Sequence, residues 1–251
     1  MPVASVPKKK TIKNTGKKIL TIDIGGSNIK GTILDAHGKI IEAYKKEVTP
    51  KPATPVAVIA SIKKLAVQFT AFDQISVGFP GYVKDGVVHT APNLGKGWAK
   101  TDLAKKLTAL FKKPVRIVND ADLQGLGVAA GKGFEIVITL GTGFGTAFLV
   151  DGKLLPHMEL AHHPLNNKGD YDYYIGEATL EKIGKKEWRK RMRKVLGILV
   201  TVFNYDHLYI SGGNADLLTF PLAKNISIVS NKEGIKGGAR LWNDSAHVQA
   251  K

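Results

Sequence analysis

Apolar residues fill positions 19–24 except for Thr21 and for Asp23 near the end of the run, which predicts a buried strand that delivers one acid to a polar site. Gly25-Gly26-Ser27-Asn28 interrupts the run as a tight turn, and residues 29–34 return as a second strand. Asp35-Ala36-His37-Gly38 then turns into a third strand over 39–44. The same order recurs later: strand 136–140, the turn Gly141-Thr142-Gly143-Phe144-Gly145, strand 146–150, Asp151-Gly152, and strand 153–155. Two copies of strand, glycine turn, strand, glycine turn, strand predict two similarly folded halves facing each other across a cleft.

Between and after the copies, helical and strand periods alternate. Thr54-Pro55 caps a helix with Val58, Ile62, Leu65, Ala66 and Phe69 on one face, and 75–78 reads as a short buried strand. Thr101 opens a second helix to about Phe111, 115–118 is a strand, and 121–130 is the helix that follows it. A long helix is expected over 185–203, then a strand at 207–211, a Gly212-Gly213 turn and a strand at 226–229. A last helix, about 234–245, should pack back on the N-terminal half. This is α/β alternation, with a basic, mobile arm at 1–18, one domain at 19–118 and a second at 119–251. The proline-rich 49–55 segment is an extended connector too short to be a domain linker.

Composition narrows the class. Hydrophobic residues at 43% and charged residues at 23% are globular values, so most of the chain should fold unaided. Absence of cysteine removes disulfides, thiolate nucleophiles and cysteine-bound zinc, and suits a reducing compartment. The first residues lack a signal-peptide core, and the longest apolar stretch, 195–203, is far short of a bilayer span, so a cytoplasmic protein is expected. The formal charge of +16, from 37 Lys+Arg against 21 Asp+Glu, concentrates polyanions or serves solubility alone. Much of it is local. Lys8, Lys9, Lys10, Lys13, Lys17 and Lys18 precede any acid. Lys185, Lys186, Arg189, Lys190, Arg191, Arg193 and Lys194 share a helical stretch whose only acid is Glu187. On that helix Lys186, Lys190 and Lys194 fall together as a track for a polyanion, or as a solvated face.

The motifs each have a functional and a plain reading. Asp23 before Gly25-Gly26 sets an acid at a strand end and bare amides in a turn, suited to phosphate or simply a glycine hairpin. A second such turn at Gly141-Thr142-Gly143 favours phosphate, because two turns from opposed halves can clamp one chain of phosphates. A dinucleotide fingerprint is excluded there, since a strand follows where that motif needs a helix, and Gly95-Lys96-Gly97 lacks the spacing of a Walker loop. Asn119-Asp120-Ala121-Asp122 lies where a strand hands over to a helix, either as reactive groups at a cleft or as a helix cap. Glu159-Leu160-Ala161-His162-His163 offers an acid and imidazoles to sugar hydroxyls; a metal site lacks further ligands at helical spacing. Gly78-Phe79-Pro80-Gly81 and Ala91-Pro92-Asn93-Leu94 read as rigid loops after strands.

Taken in order from Ile19 to Trp242, these segments, with Thr49-Pro50-Lys51-Pro52-Ala53-Thr54-Pro55 and Gly234-Ile235-Lys236-Gly237, resemble the ROK family of sugar kinases, and within it the branch that uses polyphosphate. The resemblance implies an α/β, actin-like (ribonuclease H-like), duplicated two-domain fold with a central cleft. It implies transfer of a phosphoryl group from inorganic polyphosphate, with ATP as a further donor, to the 6-hydroxyl of glucose or a related hexose. Asp120 would be the catalytic base. Asn119, Glu159 and His162 would bind other hydroxyls, with Asn93 and Gly81 lining the pocket. Asp23 would hold Mg2+ through water. Gly25, Gly26, Ser27, Asn28 and Lys30 from the first turn, with Gly141, Thr142 and Gly143 from the second, would hold donor phosphates, and Gly212-Gly213 a nucleotide. No structural zinc is implied, since the family's cysteine-rich motif is missing, as it is in that branch. The family's Glu-x-Gly-His reads Glu159-Leu160-Ala161-His162 here, and a following family acid is replaced in His163-Pro164-Leu165, which loosens the sugar preference.

The partners expected are a hexose, polyphosphate and, as a homodimer, a second copy of the chain, with no membrane and no specific nucleic acid. The competing readings are an ATP-only hexokinase and a non-catalytic sugar- or polyphosphate-binding protein. A sugar-sensing repressor is disfavoured because 22 residues before Asp23 are too few for a DNA-binding helix-turn-helix.

Overall fold

The computed structural model describes residues 16–243; most of the lysine-rich arm and the end of the expected last helix lie outside the described residues. Strand β1 (Ile19–Ile24) is buried at every position but Asp23. It pairs antiparallel with β2 (Asn28–Leu34), which pairs antiparallel with β3 (Ile40–Val48). Helix α1 (Pro55–Ala66) follows the proline-rich connector. The Thr54 hydroxyl accepts from the Ala57 amide at 3.4 Å, Pro55 occupies the first turn, and Lys63 and Lys64 sit in the last turn, where the helix dipole favours cations.

Strand β4 (Gln74–Phe79) adds parallel to β1. The short strands β5 (Val83–Lys84), β6 (Val87–Val88) and β7 (Thr101–Asp102) form a small separate sheet. Thr101 therefore does not open α2 (Leu103–Phe111), as expected from sequence. It bridges to Val88, and Asp102 caps the helix by accepting from the Lys105 amide at 2.8 Å. Strand β8 (Val115–Asn119) completes a five-stranded sheet of order β3-β2-β1-β4-β8.

After α3 (Asp120–Val128) the pattern repeats. Strands β9 (Phe134–Leu140), β10 (Phe144–Val150) and β11 (Lys153–Leu154) form an antiparallel meander, so Phe144 and Gly145 belong to the strand rather than to the turn. A small hairpin, β12 (Pro164–Asn166) and β13 (Gly169–Asp170), leads to α4 (Tyr171–Ile175) and α5 (Glu177–Phe203). Gly184, whose φ of 74° only a glycine adopts at low cost, is non-helical and breaks this span into a short first helix and a long one over 185–203, the long helix expected from sequence. Strands β14 (His207–Ser211) and β15 (Ile226–Ile228) then add parallel, giving the order β11-β10-β9-β14-β15. The second sheet thus has the strand order and directions of the first.

Each half has its own core. The first contains Leu20, Ile22, Ile33, Val77, Phe79 and Trp98, and the second Ile136, Ile138, Phe148, Trp188 and Val195. Helix α3 is the seam, because Leu123 and Leu126 join Val118 of the first sheet to Val137, Ala147 and Leu149 of the second. The expected last helix is two short ones, α6 (Asn231–Gly234) and α7 (Gly237–Arg240). Although late in sequence, α7 is fastened to the first half. Ser76 Oγ donates to the Gly238 carbonyl at 2.6 Å, Trp242 Nε1 donates to Ser76 Oγ at 2.8 Å, and Arg116 donates to the Leu241 carbonyl at 2.6 Å. No helix among the described residues is long and apolar enough to cross a membrane.

Candidate active site

The seam between the sheets puts the end of β8 and the start of α3 at the floor of a cleft of about 510 Å³. Asn119 caps α3, its Oδ1 accepting from the amides of Ala121 (2.7 Å) and Asp122 (3.4 Å). Its Nδ2 donates to the Gly81 carbonyl at 3.2 Å, tying the loop after β4 to the helix start. A cap of this kind is worth about 1 kcal/mol. The capping and pocket-lining readings of Asn119 coexist, because the same buried side chain also borders the cleft.

Asp120 follows in the first turn, with Oδ1 2.9 Å from the Ala121 amide. Its approach to β1 depends on Gly78, the parallel partner of Asp23. A β-carbon on Gly78 would stand 2.9 Å from Leu123 Cδ2 and 3.3 Å from Asp120 Cα. The bare backbone lets the helix start settle beside Asp23. Burial is the main cause that raises the Asp120 pKa to about 7; the charge of Asp23 comes next, with Asp122 and Glu159 adding to it. Burial also raises the Asp23 pKa, against the pull of Lys30. A carboxyl group held near neutrality is poised to accept a proton at physiological pH.

Both glycine turns reach this floor. Gly25, Gly26 and Ser27 line the cleft from the first half, with Gly141, Thr142 and Gly143 from the second. The proline-rich connector clasps the first turn. Thr49, itself buried, donates through Oγ1 to the Gly25 carbonyl at 2.6 Å and through its amide to the Ser27 carbonyl at 3.0 Å. The second turn is held by α4. The amide of Phe144 donates to Asp172 Oδ1 at 2.6 Å, and a β-carbon on Gly143 would stand 2.9 Å from that oxygen. Gly81, Asn93, Glu159 and His162 complete the cleft, and Gly212-Gly213 borders it beyond the second turn. Three expected residues lie elsewhere: Asp23 and Lys30 border a neighbouring cavity, and Asn28 borders neither.

Sequence reading missed His157, Asp172 and Gln124. The His157 ring lies between two carboxylates, with Nδ1 2.8 Å from Asp122 Oδ2 and Nε2 3.3 Å from Glu159 Oε1. Burial alone would lower the imidazole pKa, but its contacts with Asp122 and Glu159 outweigh that and hold it up at about 10. Contact with His157 in turn lowers the Glu159 pKa. His157 is therefore an imidazolium, and Glu159 an acceptor-only carboxylate facing the cleft. Tyr82 of the first half stacks on His157 of the second, centroids 6.0 Å apart at 16°, so the halves meet directly here. The Nδ1 of the exposed His162 lies 3.7 Å from Asp170 Oδ2, and its ring also acts electrostatically on Glu159 and Asp172.

Among the described residues no group of three or more His, Asp or Glu side chains could hold a metal ion unaided. Asp23 offers one hard oxygen donor at the end of β1, on the wall of the neighbouring cavity beside Lys30 and Asp120. That donor set suits Mg2+, which commonly takes one or two carboxylates, several waters and the oxygens of a bound phosphate.

Paired five-stranded sheets of one order, opposed glycine turns and a carboxylate at the seam define an actin-like fold of the kind built around phosphoryl transfer. The chain belongs to the ROK family, whose sequence pattern matches residues 19–170. Polyphosphate glucokinases of Mycobacterium leprae and Mycobacterium tuberculosis are each 34% identical to it, over 236 and 238 residues. These alignments cover 87% of this chain and 72% and 88% of theirs. The inorganic polyphosphate/ATP-glucomannokinase of Arthrobacter sp. strain KM superposes with a TM-score of 0.81 at 33% identity, covering 90% of this chain and 98% of that one. A ROK family glucokinase from Streptomyces griseus, solved with glucose and AMPPNP, shares the fold at 20% identity, with a TM-score of 0.70 over 89% of this chain and 98% of that one.

Proposed function

We propose that the protein is a hexose kinase that moves a phosphoryl group from inorganic polyphosphate to the 6-hydroxyl of glucose or a closely related hexose, with ATP as a second donor. The observation that carries this reading is Asp120, at the helix start between two glycine turns, with its pKa held at about 7. The likeness to polyphosphate glucokinases over 87% of the chain supports the donor and the sugar class.

In this reading the hexose lies against Asn119, Glu159, His162, Asn93 and Gly81, all of which border the cleft. Glu159, kept ionised by His157, accepts hydrogen bonds from ring hydroxyls and so helps orient the sugar. Asp120 takes the proton of the 6-hydroxyl as that oxygen attacks the terminal phosphorus in line. The bond to the donor's bridging oxygen breaks, leaving a polyphosphate one unit shorter or ADP. The Gly25 and Gly141 amides close their own turns on the Asn28 and Gly143 carbonyls, and Thr49 and Asp172 brace those turns, so the charge that develops on the phosphoryl oxygens falls to the other turn amides, those of Gly26, Ser27, Thr142 and Gly143. Asp23 would hold Mg2+ through water, and the ion would supply charge neutralisation on the donor. Gly212 and Gly213, bordering the cleft beyond the second turn, leave room for a nucleoside and support ATP as a donor.

A coupled assay for glucose 6-phosphate, with long-chain polyphosphate or ATP as sole donor and a panel of hexoses as acceptors, tests this. Turnover with polyphosphate and glucose is expected. Absence of sugar phosphate with either donor, from folded protein supplied with magnesium, would falsify the reading.

A further inference from the structure

Among the described residues the cleft is lined by the carboxylates Asp120, Glu159 and Asp172 and by no lysine or arginine. A long polyanion whose end reacts there therefore meets little fixed positive charge once past the glycine turns. The charge is next door. A second cavity of about 610 Å³ shares Asp120 and Gln124 with the cleft as a common partition. One wall is a row across the first sheet: Asp23 is opposite Lys30, and Lys30 is opposite Lys46. Side chains of directly opposed residues emerge on the same face, so the two lysines and the acid stand together. Lys232 of α6 forms the facing wall, and the exposed Tyr44 stands at the edge. Among the described residues none of these three lysines is held in an ion pair with a carboxylate. Lys45 also borders the cavity, but its ammonium group is committed to the Gln68 carbonyl and lies over the Phe69 ring.

We propose that this lysine-walled cavity receives the tail of the polyphosphate chain behind the group being transferred. Lys30, Lys46 and Lys232 act as point charges along the chain, and the Tyr44 phenol, which keeps its proton, can donate a hydrogen bond to a phosphate oxygen. The inference rests on the reading of the protein as a polyphosphate-using kinase and adds where the donor runs. Two other basic surfaces fit less well. A third cavity meets the cleft at Ser27, but its two lysines, Lys51 and Lys64, are offset by Glu47. The basic helix after Gly184 contributes no residue to the cleft or to either neighbouring cavity. Its Arg189 and Arg191 are committed to the carbonyls of Leu217 and Tyr174.

The test is the double variant Lys46→Ala/Lys232→Ala, both sites being exposed. Binding of long-chain sodium polyphosphate is measured over a salt series, alongside the KM for that donor, for tripolyphosphate and for glucose. Each lost lysine–phosphate contact should flatten the log–log salt slope of binding by about one. Long-chain binding and KM should weaken by several-fold, with the values for tripolyphosphate and glucose unchanged. An unaltered slope and KM, or the same losses in Lys51→Ala/Lys64→Ala instead, would overturn the assignment. If the wild-type protein turns over ATP but neither binds nor uses polyphosphate, the donor reading itself is wrong, and this inference falls with it. Polyphosphate use by the wild type with an unaffected double variant removes the inference alone.

Discussion

His157 Nδ1 lies 2.8 Å from Asp122 Oδ2, and both side chains are nearly sealed from solvent, at 6% and 8% exposure. An imidazolium so placed neutralises one carboxylate on the buried side of α3 while its other nitrogen steadies Glu159 at the cleft. Removing it leaves Asp122 buried without its cation, a loss on the order of 3 kcal/mol for a buried pair. His157→Gln should therefore lower the melting temperature. It should also raise the KM for the hexose more than it lowers kcat, because Glu159 loses its anchor and not its reactivity. The pH dependence carries a sign. The folded pKa of about 10 stands above the ordinary 6.5, so the stabilisation is complete below pH 6.5 and is lost as pH rises through 10. Wild type should lose melting temperature from pH 7 to 10 by more than His157→Gln; parallel curves would show that the imidazolium contributes nothing.

Asp120→Asn tests the base. The asparagine keeps the shape and an oxygen for the Ala121 amide, so the fold should persist. Turnover should fall by about two to four orders of magnitude, the usual worth of a positioned base. The base must be ionised to act, so kcat/KM of the wild type should decline as pH falls below about 7. Residual activity of Asp120→Asn should lack that limb. Near wild-type turnover in the folded variant would return Asp120 to the helix-capping role its position also allows.

Much of this was legible in the sequence, for a physical reason. Strands β1 and β9 announce themselves by their largely apolar runs, and the turns after them by glycines, so local chemistry alone shows the repeat and hence the opposed halves. The loops that carry Gly81 and Asn93 read from sequence only as rigid turns after strands, and the family resemblance alone marks those two residues as pocket-lining. What escaped depends on contacts between distant segments. His157 sits in a loop after Pro156 with no periodic neighbour, and only the fold brings Asp122 to it from 35 positions earlier. Asp172 looks like an ordinary first-turn acid of a short helix, and its hold on Phe144 spans 28 positions. The docking of α7 on the first sheet through Ser76 and Arg116 makes the end of the chain part of the first half's support, a relation no local pattern encodes.

Gly78 offers a test of how closely the seam must fit. In Gly78→Ala the new methyl group would press on Leu123 Cδ2 at 2.9 Å and on the Asp120 backbone at 3.3 Å. Overpacking of this kind costs about 1–3 kcal/mol. A displacement of a fraction of an ångström at the base should reduce kcat by about tenfold while leaving the hexose KM close to wild type. Leu123→Val retracts the nearest atom, so Gly78→Ala/Leu123→Val should regain part of the lost turnover. A Gly78→Ala enzyme with unchanged kcat would mean that the helix start tolerates movement, and that Asp120 does not need its present distance from β1.

The basic helix makes the opposite prediction from the lysine-walled cavity. Lys186, Lys190 and Lys194 are all exposed, but the neighbouring cations serve packing. Arg193 lies 4.4 Å from the Phe220 ring centroid, Arg191 lies 4.6 Å from that of Tyr174, and Lys190 is 4.0 Å from Glu187. With no member of the stretch at the cleft, its lysines act on a polyanion only through the long-range field, which salt screens beyond about 8–10 Å. Replacing the three lysines by glutamine should therefore leave the KM for long-chain polyphosphate within about twofold of wild type at physiological ionic strength, where exposed charges are worth little. A modest rise should appear only at low salt. A several-fold rise that persists across the salt series, with the glucose KM unchanged, would instead make this helix face part of the donor track, and the chain would then have to reach it from the cleft over the outside of the second half.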